Sequence, residues 1–131
     1  MLECKTISIA IERHWQEVYE TIWRPEFFPT WASGLSQSGL QREGQAWVAQ
    51  GPQGRVKIRF TEHNAFGIMD HHVVPARGPE VYIPLRVIQN GDGAVVMLTL
   101  FRQPGMSDEK YAEDEAWVER DLAKLRTHCL V

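Results

Sequence analysis

Residues 107–130 read SDEKYAEDEAWVERDLAKLRTHCL, and this stretch decides the fold. Its apolar residues recur at helical spacing, so one face of a helix would be buried and the other would meet water. Ser107 is a favourable N-cap, and the acidic residues that follow it stand where the helix dipole favours anions. The pattern therefore predicts one long amphipathic helix. Its inner stripe consists of Tyr111, Val118, Leu122, Leu125 and Cys129, with Trp117 and Asp121 flanking it.

The chain in front of this helix begins with a strand and a first helix. Thr6–Ile11 alternates polar or small residues with isoleucine, which predicts a half-buried strand. A helix should run from His14 to Trp23, because its apolar residues recur every three or four positions. Pro25 ends that helix, since the residue before a proline avoids helical geometry. Residues 27–32 form a candidate second, shorter helix.

About six strand-like runs fill the middle of the chain. They are Leu35–Arg42, Gln45–Gln50, Arg55–His63, Ile68–Val74, Val81–Gln89 and Ala94–Arg102. The last two flank the sequence NGDG at residues 90–93, which is a strong hairpin signal. Strands placed between an early and a late helix predict a sheet wrapped around the terminal helix. Such an arrangement leaves room for an apolar cavity between the sheet and the helix.

Length and charge exclude several classes of protein. The 131 residues predict a single domain over 1–131, and 44% apolar residues suffice for one core. The net charge is −3 and no basic stripe is present, so we expect no nucleic-acid partner. No apolar run approaches the ~18 residues of a membrane span, and no signal region opens the chain. Two cysteines without metal or redox spacing predict a reduced, cytoplasmic protein.

The most suggestive polar cluster is Asp70-His71-His72. An acid beside an imidazole suits proton transfer. In a strand, however, neighbouring side chains point to opposite faces, so His71 and His72 are poorly placed to share a metal ion. We accordingly expect no metal and no cofactor. The sequence also has no nucleophile elbow, phosphate-binding glycine loop or Cys-x-x-Cys motif, so it presents no catalytic constellation.

Arg86 is the one charged residue in the run YIPLRVI, residues 82–88. Two interpretations stay open at this point. Arg86 lies on the outer, wet face of the sheet, or it is a single charge inside a pocket that anchors an anionic head group. The five tryptophans likewise either fill the core or form walls for an apolar ligand.

Three stretches resemble a known family. Trp23 to Trp31 reads Trp-x-Pro-x-x-Phe-Pro-x-Trp, and it follows an isoleucine-rich strand and a helix. With residues 99–109 and 121–125, this order resembles the START-like (SRPBCC) superfamily in its polyketide cyclase/dehydrase branch. The resemblance implies an α+β helix-grip fold: a curved antiparallel sheet of about six to seven strands around a long C-terminal helix, with one or two short helices after the first strand. Members of that superfamily include lipid and hormone binders, aromatic cyclases and chaperone activators.

The sequence thus favours a protein that binds a small, mostly hydrophobic molecule in a cavity between sheet and helix. The candidate ligand-binding residues are Trp31, Phe60, His71, Arg86 and Trp117. One alternative is a cyclase- or dehydrase-type enzyme that acts on a bound carbonyl compound, with His71 as acid/base and Asp70 orienting it. Another is a protein-interaction module. The oligomeric state stays open, a homodimer included.

Overall fold

A computed structural model of the chain describes residues 1–33, 39–51 and 54–130. The helices are α1 (Trp15–Ile22), α2 (Phe28–Trp31) and α3 (Asp108–Cys129), and a 3-10 turn at Pro25–Phe27 precedes α2. The strands are β1 (Cys4–Ile11), β2 (Gln41–Glu43), β3 (Ala46–Gly51), β4 (Gly54–Phe60), β5 (His71–Val74), β6 (Val81–Ile83), β7 (Leu85–Asn90) and β8 (Gly93–Phe101). The α+β helix-grip architecture is confirmed. The part of the expected run Leu35–Arg42 at residues 35–38 lies outside the described residues.

The strands form two antiparallel sheets rather than one. One has the order β1-β8-β7 and the other the order β2-β3-β4-β5-β6. The predicted strand Val81–Gln89 is divided at Pro84, because proline has no N–H to donate to a ladder. β6 and β7 therefore belong to different sheets although they follow one another in the chain. The predicted hairpin between β7 and β8 is confirmed, with Asn90 opposite Gly93.

The predicted strand Ile68–Val74 is also shorter than expected. Residues 67–69 run along β7 and are not part of the strand that pairs with β4. Met69 N–H donates to Leu85 O at 2.8 Å, and Val87 N–H donates to Gly67 O at 2.9 Å. Gly67 has φ +70°, and a Cβ there would lie 2.3 Å from Val87 O. Only glycine fits this close approach between two backbones.

α3 packs its apolar stripe onto the core as predicted. Tyr111, Leu122, Leu125 and Cys129 are buried, and Ser107 Oγ accepts from Lys110 N at 3.1 Å to cap the first turn. Val118, expected in the core, is only half-buried because it borders a groove. None of the helices in the described part of the chain combines the length and apolarity that a membrane span requires.

Candidate functional site

An open groove of about 510 Å³ lies between α3, α2 and the inner faces of both sheets. We call it the α3 groove. Its buried lining is largely apolar and aromatic, whereas its outer lining from α3 is partly charged. The buried lining comprises Phe28, Trp31, Ala32, His71, Val73 and Leu98. The lining contributed by α3 comprises Lys110, Glu113, Asp114, Trp117, Val118 and Asp121.

His71 reaches the groove from the inner face of β5. It stands opposite Phe60 of β4 and Ile83 of β6, and it is 2% exposed. Nδ1 lies 3.1 Å from Met69 O. Because a carbonyl oxygen only accepts, Nδ1 carries the proton and Nε2 keeps its lone pair. Burial lowers the pKa of His71 to about 4, although the Met69 hydrogen bond opposes this shift. His71 is therefore a neutral hydrogen-bond acceptor near pH 7.

Trp31 lines the groove from the last residue of α2. It is 2% exposed, and its ring meets that of Phe28 edge-on at a centroid distance of 5.2 Å. Its indole N–H is buried without a hydrogen-bond partner among the described residues. A buried donor without a partner is uncommon in folded proteins, and it marks a place where an acceptor would be favoured.

A chain of hydrogen bonds, here called the relay, joins α3 to Ser33 in the loop after α2. Trp117 Nε1 donates to Ser33 Oγ at 3.2 Å, and Ser33 Oγ donates to Asp121 Oδ1 at 2.8 Å. Burial raises the pKa of Asp121, with the Ser33 hydrogen bonds acting in the opposite direction. The relay fixes the Trp117 ring at the edge of the groove. Sequence reasoning missed Ser33 and Asp121 as partners, because nothing local connects residues 88 positions apart.

Phe60 does not line the α3 groove, contrary to the expectation. Its ring contacts those of His71 and Phe28, at centroid distances of 5.6 Å and 5.2 Å. It thus contacts two rings that line the groove without lining the groove itself. Its effect on a ligand would be indirect, through the position of the imidazole.

Arg86 lies outside the groove as well. Its neighbours Leu85 and Val87 are buried, and strand alternation places Arg86 on the outer face. There Nη2 donates to Asp70 Oδ2 at 2.9 Å and Nε donates to Oδ1 at 3.3 Å. The expectation that Arg86 anchors a head group inside the pocket is therefore wrong, and its outer-face interpretation holds.

Asp70 belongs to this outer-face cluster and not to His71. Besides Arg86, it accepts from the Leu85 amide and the Tyr82 hydroxyl, each at 2.9 Å. Burial would raise the pKa of Asp70, but the hydrogen bonds from Arg86, Leu85 and Tyr82 hold it below its ordinary value. The arrangement in which Asp70 orients His71 is absent, because the two side chains lie on opposite faces of the sheet.

The same alternation separates His71 from His72. His72 lies on the outer face and stacks on Tyr82 at a ring-centroid distance of 5.0 Å. Within residues 1–33, 39–51 and 54–130, no three His, Cys, Asp or Glu side chains are grouped so that they could hold a metal ion.

Of the comparisons with known proteins, the one with solved structures finds proteins similar to this chain. No family model and no curated protein matches the sequence. XoxI from Bacillus cereus superposes with a TM-score of 0.78 at 16% identity, over 98% of this chain and 96% of that one. A START superfamily protein from Mycobacterium smegmatis gives 0.70 at 8% identity, over 96% of each chain. CalU16 from Micromonospora echinospora gives 0.68 at 18%, over 95% of this chain and 73% of that one.

At sequence identities this low, the structural similarity is evidence for the fold alone. It agrees with the order of elements, with the two antiparallel sheets and with the long terminal helix that packs on them. The chain has the helix-grip fold of START-like proteins.

Proposed function

We propose that this protein binds a small, mostly apolar molecule in the α3 groove. The observation that carries the proposal is the groove itself, about 510 Å³ with a buried lining of aromatic and aliphatic side chains. Small-molecule sites typically have ~300–1,000 Å³, apolar walls and a few polar groups. At about 25 cal/mol per Å², covering ~200 Å² of ligand contributes about 5 kcal/mol before association costs.

The alternatives from the sequence have less support. A cyclase or dehydrase with an Asp70–His71 pair lacks that pair, since Asp70 bonds to Arg86 on the outer face. A protein-interaction module would be favoured by a cavity too small for any ligand, and the volume of the α3 groove argues the other way. We further propose a cytoplasmic location, which the two free thiols of Cys4 and Cys129 support.

The proposal is tested with the apolar fluorophore N-phenyl-1-naphthylamine, whose emission rises when it leaves water. We expect saturable binding, because the groove offers a defined apolar volume. Trp117→Ala should weaken the affinity by about 5-fold, since roughly 40 Å² of lost apolar contact corresponds to about 1 kcal/mol. Reading the probe's own emission keeps the loss of a tryptophan from disturbing the signal.

Phe66→Ala is the matched control. Phe66 is an aromatic residue that is 74% exposed and lies outside the groove lining. Its replacement should leave the affinity unchanged. Emission that never saturates, or an equal loss in both variants, would remove the support for a site at the α3 groove.

A further inference from the structure

Two side chains that line the α3 groove, His71 and Trp31, each have a polar ring nitrogen without a hydrogen-bond partner among the described residues. Among the described residues, the His71 ring makes one hydrogen bond, and it does so through Nδ1. Nε2 therefore remains available as an acceptor. The Trp31 indole N–H is a donor without a partner in the same part of the chain. Both side chains are 2% exposed and both line the groove. Leaving such groups unsatisfied is costly, so a ligand that satisfies them gains over one that does not.

The charges around the groove disfavour an anion. Lys110 Nζ lies 2.6 Å from Asp114 Oδ1, so this pair is neutral as a unit. The remaining charged lining residues are Glu113 and Asp121, both carboxylates. Arg86, the cation that would have served a carboxylate ligand, is on the outer face with Asp70. An anionic head group in the groove would therefore meet like charge and have no cation of its own.

A charged head group of either sign also loses its hydration in an apolar groove. The most buried polar side chains of the lining, His71 and Trp31, present a neutral acceptor and a neutral donor. A hydroxyl is neutral and both donates and accepts hydrogen bonds through a single oxygen atom. An ether or a ketone accepts only, and so would leave His71 Nε2 unsatisfied.

We propose that the α3 groove selects neutral apolar molecules that carry a hydroxyl group, and that it discriminates against carboxylates of the same shape. The hydroxyl donates to His71 Nε2, and an oxygen of the ligand accepts from Trp31 Nε1. This inference rests on the proposed function, because it names the ligand class of the same site.

The test compares four probes of one shape by isothermal titration calorimetry at pH 7: naphthalene, 2-methoxynaphthalene, 2-naphthol and 2-naphthoate. We expect 2-naphthol to bind about 3- to 10-fold more tightly than naphthalene, the range of one net hydrogen bond. It should also bind more tightly than 2-methoxynaphthalene, which cannot donate. The carboxylate should bind most weakly of the four.

Two variants assign the preference to its atoms. Trp31→Phe removes the indole N–H and keeps an aromatic ring, and it should reduce the preference for 2-naphthol over naphthalene. His71→Phe removes the acceptor and should abolish the advantage of 2-naphthol over 2-methoxynaphthalene. If His71→Phe does not fold, Trp31→Phe and the wild-type ranking still decide the question.

The outcomes separate the two proposals. Saturable binding of naphthalene without any preference for 2-naphthol would overturn the hydroxyl inference and leave the apolar groove standing. Binding of 2-naphthoate as tight as that of 2-naphthol would overturn it too, as would a preference that both variants retain. Failure of all four probes to bind would contradict the proposed function itself, and the inference with it.

Discussion

Replacing Leu122 by alanine should lower the free energy of unfolding by about 2–5 kcal/mol, the usual cost of removing a buried leucine side chain. Leu122 is 1% exposed and belongs to the central cluster of the core. It lies midway along the buried stripe of α3, so no chain end can relax to fill the space that the substitution leaves. Urea denaturation followed by circular dichroism at 222 nm measures the change.

Glu119→Ala is the control on the same helix. Glu119 is exposed and lies outside the buried stripe of α3, and its replacement should change stability by no more than about 0.5 kcal/mol. A loss below about 0.5 kcal/mol for Leu122→Ala would place Leu122 at the surface and contradict the packing of α3.

Acidification should destabilise the protein by up to about 3 kcal/mol between pH 7 and pH 4 because of His71. Its pKa is about 4 in the folded protein against an ordinary value of 6.5. The unfolded chain therefore binds a proton in this interval that the folded protein excludes. The stability that comes from keeping His71 neutral is fully present above pH 6.5, and it is lost as the pH falls towards 4. Excluding one proton from the folded protein between pH 6.5 and pH 4 corresponds to about 3 kcal/mol.

Other groups are separable from His71 in this titration. The raised pKa of Asp121 acts in the opposite direction, since its folded form gains a proton first as the pH falls. His71→Gln should flatten the slope between pH 6.5 and pH 4.5, whereas His72→Gln on the outer face should keep it. Unfolding free energies at pH 7, 6, 5 and 4.5 provide the measurement. An unchanged slope in His71→Gln would mean that His71 is not the buried neutral group described above.

The sequence predicted those parts of the structure that depend on periodicity. The stripe of α3 follows from residues three and four apart, and the separation of His71 and His72 onto opposite faces follows from alternation along β5. That Asp70 and His72 share a face follows in the same way, and the hairpin between β7 and β8 follows from its NGDG turn. These features are local, so nearby residues suffice to define them.

The parts that the sequence did not predict depend on tertiary contacts or on a proline. Pro84 divides one predicted strand between two sheets, a consequence of its missing N–H that the apolar pattern around it conceals. Alternation places the side chains of Arg86 and Leu85 on different faces of the sheet, but it does not say which of these faces is exposed to water. The Ser33–Asp121 hydrogen bond joins the loop after α2 to α3, and no spacing rule connects them.

The most direct test of the central claim is a map of ligand contacts by ¹H–¹⁵N chemical shifts during a titration with 2-naphthol. Binding in the α3 groove predicts saturable shifts for the amides of Val73, Ile83 and Leu98 and for the indole N–H of Trp117, all from groove-lining residues. The amide of Phe66, far out on an exposed loop, should not move. Shifts that cluster on the outer face around Tyr82 and Arg86, or that grow linearly without saturation, would contradict a ligand site between α3 and the sheets.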